Sequence, residues 1–439
     1  MIRNQEFYVI LKRLFRRCLE VLSRQEELTV YHELEEQPEF LSDGSIRIST
    51  AIKQKFHLSQ EDGEKLQELP EFRELVSFVA GSELAQDLLV DFDDKPLDAS
   101  RHSNWLFQYL YLPLFSHYTH KAGGLQFRES IFDELYQGIE EYCGCSTVDI
   151  VCVVPIFGLV LASDVELPIR LDSSLMIREL EAQERNRLWK GAADSPFYDR
   201  FTMYGLRFAA EHTQEVEKRH PSYLVSGEIF ILLEDFLRLI KRHPIAIRFL
   251  KAKTKPWYNS RVLVGGTLSW PRTGVVGRML IGPAVFNSDD AHLLQQFWQA
   301  WPTINVKDRL ALALRYFGSS CDKAELADRL IDLWIGLEAL FSDQTQELGY
   351  RLGLRISRYL GKDAPKHDEI FKNIKGSYDC RSYLVHGRGG RKGRKRYESD
   401  LQLMVQRTEG YLADSLRTCI ASRALPDLDG LDKKIVRGN

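Results

Sequence analysis

Arg381 and His386 are the two side chains in this 439-residue sequence whose types and spacing suggest chemistry on a phosphate group. They lie in residues 377–387, which read SYDCRSYLVHG. A histidine exchanges a proton near neutral pH, and an arginine presents a planar fork of donors that fits a phosphate. Five residues of a regular helix leave two side chains about 140° apart around its axis. The pair therefore converges only if the last helical turn distorts or if two copies meet across a symmetric dimer.

A strongly basic segment follows this pair directly. Six of the nine residues from 388 to 396 are basic and the other three are glycine. We interpret the segment as a flexible loop that attracts phosphates, because glycine loosens the backbone and the cations attract polyanions. The alternative is an ordinary solvated surface loop. The predicted phosphate-binding residues, which would bind RNA if the polyanion is RNA, are Arg388, Arg391, Lys392, Arg394, Lys395 and Arg396.

The overall charge does not indicate nucleic-acid binding, but its distribution does. The chain has 59 basic and 62 acidic residues, a net charge of −3. Residues 321–439 hold 22 Lys and Arg against 18 Asp and Glu, so this part carries +4 and the remainder −7. Such asymmetry indicates a polyanionic partner for the C-terminal part.

The chain length and the pattern of helices and strands that would position these residues predict an α+β protein of two or three domains. Residues 1–287 are predicted to be a mixed α/β region, divisible into a helical part at 1–145 and a strand-containing part at 146–287. Residues 1–40 are predicted to be helical, and 149–162 (DIVCVVPIFGLVLA) a buried strand pair broken near Pro155 and Gly158. Two more strands are predicted at 261–270 and 277–286, with a hairpin turn between them.

An all-α domain is predicted from residue 288 to 439. Ser288 or Asp289 can cap its first helix, which Pro302 ends. Further helices are predicted at 309–317, 324–341, 347–360 and 368–385. The last helix is predicted to begin at Ser399 or Asp400. The apolar run at 150–162 is too short for a membrane helix, and the seven cysteines are too few for a secreted disulfide framework. We therefore expect a cytoplasmic protein.

The C-terminal part resembles the HEPN superfamily, and most closely its Apea-like branch. The resemblance is carried by RSYLVHG at 381–387, by the apolar helix at 329–341 with its LEAL segment, and by the helix at 347–360. It covers about residues 290–425. It implies a helical bundle that forms a homodimer and places two Arg-His pairs in one cleft. Many members are endoribonucleases of toxin, CRISPR and anti-phage systems that need neither a metal ion nor a cofactor.

The resemblance also implies roles for individual residues. His386 would be the general acid and base for the 2′-hydroxyl or the 5′-oxygen, and Arg381 would stabilise charge on the phosphate. Ser382 and Glu338 would support the site. Ser382 departs from the family pattern, in which Asn, Asp or His often follows the arginine. The implied activity is metal-independent RNA cleavage in abortive infection, with tRNA as one candidate substrate.

Two other hypotheses remain open. The first is a non-catalytic HEPN dimer that binds RNA or a nucleotide, which the departure at Ser382 favours. The second is a helical scaffold in which Arg381 pairs with a carboxylate such as Glu338 and His386 caps the helix end. If the chain is a nuclease or a binding module, residues 1–287 would be a sensing or regulatory region that responds to a phage-derived or nucleotide trigger.

Overall fold

The computed structural model describes the chain in thirteen stretches, and every structural statement below concerns these. They are residues 4–24, 30–40, 46–56, 60–90, 95–181, 184–185, 207–217, 227–247, 251–255, 283–305, 307–343, 348–386 and 391–437. The backbone alone is described for residues 30–40, 46–56, 60, 120, 251–255, 307, 348, 386, 391–399 and 436–437. The architecture is α+β, with a small sheet and a helical C-terminal part.

The described helices and strands follow in chain order. The helices are α1 (Gln5–Ser23), α2 (Gln60–Gln67), α3 (Pro70–Ala80), α4 (Ala85–Leu88), α5 (Ala99–Leu106), α6 (Leu112–Ala122), α7 (Glu129–Gly144), α8 (Glu228–Lys241), α9 (Ser288–Ala300), α10 (Lys307–Asp322), α11 (Leu326–Phe341), α12 (Leu348–Leu360), α13 (Ala364–His386), α14 (Arg391–Ser422) and α15 (Leu428–Arg437). The strands are β1 (Val30–Phe40), β2 (Ile46–Phe56), β3 (Thr147–Phe157), β4 (Leu159–Leu161), β5 (Ile169–Arg170), β6 (Leu175–Glu179), β7 (Phe208–Glu217), β8 (Ala246–Ile247), β9 (Lys251–Lys255) and β10 (Ala284–Phe286).

The chain divides into two compact units. The first comprises Met1–Val153, Glu211–Ser226 and Leu250–Leu268, and the second comprises Val154–Ala210, Gly227–Phe249 and Ser269–Asn439. The second unit thus includes segments from upstream of residue 287. The predicted domain boundary at that residue stays a prediction.

The first unit is built around the amphipathic helix α1. Asn4 caps it by accepting a hydrogen bond from the Phe7 backbone nitrogen at 3.0 Å. Its buried face follows the three-four spacing of the sequence and includes Leu11, Phe15 and Leu22. Phe15 contacts the ring of Tyr118 edge-on, with centroids 4.8 Å apart. The aromatic core that the sequence contains here is therefore organised by one face of α1.

The prediction of helix throughout residues 1–40 is wrong for residues 30–40. These residues form β1, which pairs with β2 in an antiparallel ribbon in which Leu34 lies opposite Ile52. The reason is a period-two pattern, with isoleucine at 46, 48 and 52 and apolar residues at 30 and 34. The predicted helical part at 1–145 therefore also contains strands.

The two strands predicted at 149–162 are confirmed, with a break at Gly158, although only Leu159 of the second strand is fully buried. β3 ends at Phe157 and β4 begins at Leu159. Gly158 has a φ of 76°, and a Cβ there would lie 2.8 Å from the backbone oxygen of Pro244. Glycine is therefore required for both the backbone angle and the close approach. Pro155 lies within β3, so only the second of the two predicted breaks occurs.

The sheet order is β5-β6-β7-β3-β8, and β9 also pairs with β3 in antiparallel orientation. A separate parallel pair joins β4 to β10. The described residues of β10 fall within the predicted strand at 277–286. The predicted strand at 261–270 and the hairpin turn lie outside the described residues.

The helices of the second unit are held partly by a buried charge network. Arg238 of α8 has no exposed surface, and all five of its N–H donors are used. It donates to Asp322 at 2.7 and 2.9 Å, to the carbonyl oxygens of Gly318 and Ile245, and pairs with Glu234 at 2.9 Å. Because Gly318 and Asp322 lie at the end of α10, this arginine fixes the C-terminal turn of that helix against α8.

Candidate active site

Helix α11 forms the wall from which the site is built. Its apolar residues recur every three or four positions, so one face of the helix is buried. Trp334 on this face is fully buried. An indole N–H that is removed from water needs a hydrogen-bond acceptor, and the side chain that supplies it sets the position of the next helix.

The acceptor is Ser377 of α13. The Trp334 Nε1 donates to Ser377 Oγ at 2.9 Å, and the Ser377 hydroxyl lies 2.7 Å from Thr408 Oγ1 of α14. Thr408 Oγ1 in turn donates to the Met404 backbone oxygen at 2.7 Å. The Trp334 ring also contacts Tyr378 edge-on, with centroids 5.1 Å apart. One chain of hydrogen bonds therefore joins α11, α13 and α14 at a single level.

One helical turn further along, Arg381 faces Glu338. Glu338 follows Trp334 by four residues, and Arg381 follows Ser377 by four, so α11 and α13 run parallel here. The distance from Arg381 Nη2 to Glu338 Oε1 is 3.6 Å, and the two side chains are 20% and 23% exposed. The structure thus brings together two of the predicted site residues.

The contact between them leaves hydrogen-bonding capacity unused. Glu338 Oε1 and Arg381 Nε are both buried atoms that lack a hydrogen-bond partner within the described part of the chain. Burial raises the pKa of Glu338, and the Arg381 charge partly opposes that rise. A distance of 3.6 Å is too long for a hydrogen bond, so the arginine is attracted but not fixed by this carboxylate.

The structure does not describe how Arg381 lies relative to the His386 side chain. His386 is the last residue of α13, and its backbone alone is described. Ser382 is half-buried beside Arg381 in the same helix. The convergence of Arg381 with His386 therefore stays a prediction.

The basic segment is placed differently from our expectation. Arg388 lies outside the described residues. The backbone from 391 to 396 belongs to the first two turns of α14, so this part is helical and the last helix does not begin at Ser399 or Asp400. Lysine and arginine are good helix formers, and the single Gly393 is too little to prevent the helix. Arg391, Lys392, Arg394, Lys395 and Arg396 therefore follow α13 on a helix.

No family model, no curated protein and no solved structure matches this chain. Membership of the HEPN superfamily therefore stays a prediction from the sequence. None of the helices in the described stretches is long and apolar enough to cross a membrane.

Sequence reasoning missed the residues that position Arg381. Trp334, Ser377 and Thr408 were not predicted to act together, since they lie 43 and 31 residues apart. A signal was available in part: a tryptophan on the buried apolar face of a helix requires an acceptor for its indole N–H, and serine and threonine in the two neighbouring helices are the simplest sources.

Proposed function

We propose that this chain is a metal-independent endoribonuclease of the HEPN type. The observation that carries the proposal is the location of Arg381. It lies at the contact of two parallel helices, five residues before His386, and the basic start of α14 follows closely. This order of a phosphate-binding arginine, a titratable histidine and a cationic segment suits the cleavage of RNA.

The proposed reaction uses only the RNA and these side chains. His386 removes the proton of a ribose 2′-hydroxyl, and the resulting oxygen attacks the adjacent phosphorus. The bond to the 5′-oxygen breaks, and this leaving group takes up a proton from a histidine. The products are a 2′,3′-cyclic phosphate and a free 5′-hydroxyl. Arg381 stabilises the negative charge that develops on the phosphate oxygens.

The spare hydrogen-bonding capacity at Arg381 supports this role. Its Nε has no partner in the described part of the chain, and its nearest carboxylate lies at 3.6 Å. A phosphate can accept two parallel hydrogen bonds from one guanidinium, which is a stronger interaction than this loose ion pair. The guanidinium can therefore turn from Glu338 to a substrate without losing a formed hydrogen bond.

A homodimer forms part of the proposal. Arg381 and His386 lie on different faces of a regular helix, so a single α13 does not present both to one phosphate unless its last turn distorts. A two-fold axis near the end of α13 would combine the arginine of one copy with the histidine of the other.

The biological role that we infer is an effector of anti-phage defence by abortive infection. RNA cleavage would stop growth of an infected cell, so the activity has to be restrained until infection. Residues 1–287 would supply this restraint and respond to a phage-derived or nucleotide trigger in the cytoplasm.

A second candidate function is a non-catalytic HEPN module that binds RNA. The Arg381–Glu338 pair favours it, since a carboxylate that partly neutralises the arginine weakens its effect on a transition state. Serine at position 382 favours it too.

Controlled expression in bacteria separates these functions. We expect induction of the wild-type chain, with and without phage infection, to slow growth in at least the infected culture. His386→Ala should abolish this effect, whereas His292→Ala, which alters an exposed histidine of α9, should leave it intact. Growth arrest by His386→Ala equal to that of the wild type would contradict the nuclease proposal.

A further inference from the structure

An open cavity of about 460 Å³ lies along one face of α1 in the first unit. Its volume falls within the usual range for small-molecule sites, about 300–1,000 Å³. The residues that matter to its chemistry are Tyr8, Lys12, Arg13, Arg16, Arg17 and, from α3, Glu71. The four cations occupy positions i, i+1, i+4 and i+5 of the helix, so they form one stripe.

The four cations differ in how closely they contact neighbouring carboxylates. Lys12 contacts Glu129, and Arg13 contacts Glu74. Arg16 lies 3.7 Å from Glu129, beyond hydrogen-bond length, and its guanidinium stacks over the Phe127 ring at 4.4 Å.

Arg17 pairs with Glu20 of its own helix at 3.2 Å. The side chains of Arg16 and Arg17 are 49% and 43% exposed. Ion pairs at such exposed sites contribute little to stability. A phosphate offers each guanidinium two parallel, charge-assisted hydrogen bonds. Arg16 and Arg17 can therefore exchange weak carboxylate contacts for stronger phosphate contacts.

Glu71 calls for a hydrogen-bond donor, whereas the arginines call for an anion. Its Oε2 atom is buried and has no hydrogen-bond partner among the described residues, although the side chain lines the cavity. A buried acceptor without a donor is costly, so an N–H or O–H group brought by a ligand would satisfy it once the Glu71 carboxylate rotates into the cavity. The site thus suits a molecule with both an anionic group and a hydrogen-bond donor.

We propose that this cavity binds a phosphorylated small molecule of nucleotide size. The phosphates would lie on Arg16 and Arg17, and a ribose hydroxyl or a base amino group would donate to Glu71. The proposal does not depend on RNA cleavage by the second unit, because each residue that it uses belongs to the first unit.

Isothermal titration calorimetry on the purified full chain tests the proposal with ATP, GTP, CTP and UTP at constant ionic strength. We expect at least one of them to bind, and the double variant Arg16→Gln/Arg17→Gln to bind it at least tenfold more weakly. Arg24→Gln removes an exposed arginine outside the cavity and should bind as the wild type does. Circular dichroism verifies that the variants fold. Absence of binding for all four nucleotides, or equal affinity in the double variant, would overturn the proposal.

A matched pair of variants tests the second contact. Glu71→Leu and Glu74→Leu each remove one negative charge from α3, but only Glu71 lines the cavity. We expect the wild type and Glu74→Leu to bind the nucleotide more tightly than inorganic tripolyphosphate. Glu71→Leu should lose this preference. An equal preference in all three proteins would overturn the assignment of Glu71.

Discussion

Glu338 and Arg381 lie 3.6 Å apart one helical turn beyond the hydrogen bond from Trp334 to Ser377. The hydrogen bond fixes the two helices, whereas the ion pair leaves the guanidinium able to turn. A rigid support under a cation whose charge is only partly compensated suits the phosphate binding that we propose, because the charge is positioned and still available to a ligand.

Glu338 should weaken RNA binding at neutral pH, because its negative charge competes with the phosphate for Arg381. We expect Glu338→Gln to bind a single-stranded RNA several-fold more tightly at about pH 7.5. Burial raises the pKa of Glu338, so its carboxylate becomes neutral at a higher pH than an ordinary glutamate, whose pKa is about 4.3. The RNA affinities of the wild type and Glu338→Gln should therefore become equal as the pH is lowered toward the raised pKa of Glu338.

Fluorescence anisotropy with labelled RNA measures this difference. Glu325→Gln makes the same change at an exposed position just before α11 and should bind as the wild type does. Equal affinity of the wild type and Glu338→Gln at every pH would show that Glu338 does not compete.

Ser377 should be important for stability because the buried Trp334 nitrogen donates to it. Ser377→Ala leaves that donor without an acceptor, and we expect a loss of about 1–3 kcal/mol in the free energy of unfolding. Urea unfolding followed by tryptophan fluorescence measures it. Ser415→Ala is the control, since within the described part of the chain that buried hydroxyl bonds only to the Tyr411 carbonyl of its own helix, at 2.7 Å. A Ser377→Ala loss no larger than the Ser415→Ala loss would contradict this role.

Asp322 should contribute more to stability than Ser377, because it accepts two hydrogen bonds from the fully buried Arg238. Asp322→Asn replaces this charged acceptor with a neutral amide, while Glu234 still pairs with the arginine, and we expect a loss of about 3 kcal/mol in the free energy of unfolding. The matched control is Asp414→Asn. Asp414 pairs with Arg242 at 2.7 Å at the surface, so its loss should be about 0–1 kcal/mol. Similar losses from the two variants by urea unfolding would contradict the buried network.

Asp432 should make the C-terminal helix α15 sensitive to acid. Hydrogen bonds from Arg355 hold the pKa values of Asp432 and Asp343 below their usual range. A carboxylate with a lowered folded-state pKa stabilises the fold above its unfolded-state pKa, about 3.9, and this contribution disappears as the pH falls through the lower folded-state value.

We therefore expect the melting temperature of the wild type to fall more steeply below about pH 4 than that of Asp432→Asn. Asp429→Asn, an exposed change in the same helix, should retain the wild-type slope. Equal dependence of the melting temperature on pH in all three proteins would mean that the ion pair of Arg355 with Asp432 does not stabilise the fold in solution.

The basic start of α14 should bind RNA through its charge. We expect Lys395→Glu/Arg396→Glu to weaken RNA binding and to reduce its dependence on salt, because fewer counterions are released. Lys433→Glu/Lys434→Glu makes the same charge change at two exposed residues of α15. If both double variants weaken binding equally, the segment has no specific role.

Local patterns were sufficient to predict much of the helical structure. The three-four spacing from Phe7 to Leu22 predicted α1, and the predictions for 324–341 and 347–360 lie within two residues of α11 and α12. The hairpin of β1 and β2 was missed because its period-two pattern is interrupted by charged residues.

The tertiary contacts were largely beyond sequence reasoning. Arg238 and Asp322 are 84 residues apart, and no local pattern connects them. The extent of α14 was mispredicted because three glycines within five residues suggested a loop, whereas only Gly393 lies in the helix as described, which begins at Arg391.

The most direct test of the central claim is RNA cleavage in EDTA by the full chain purified from phage-infected cells, in which we infer that its restraint is released, with total tRNA and a single-stranded RNA as substrates. We expect the wild type to produce fragments that end in a 2′,3′-cyclic phosphate, His292→Ala to do the same, and His386→Ala and Arg381→Ala to produce none. Equal cleavage by the wild type and His386→Ala, or none by any of the proteins, would contradict the proposal of an Arg381–His386 ribonuclease.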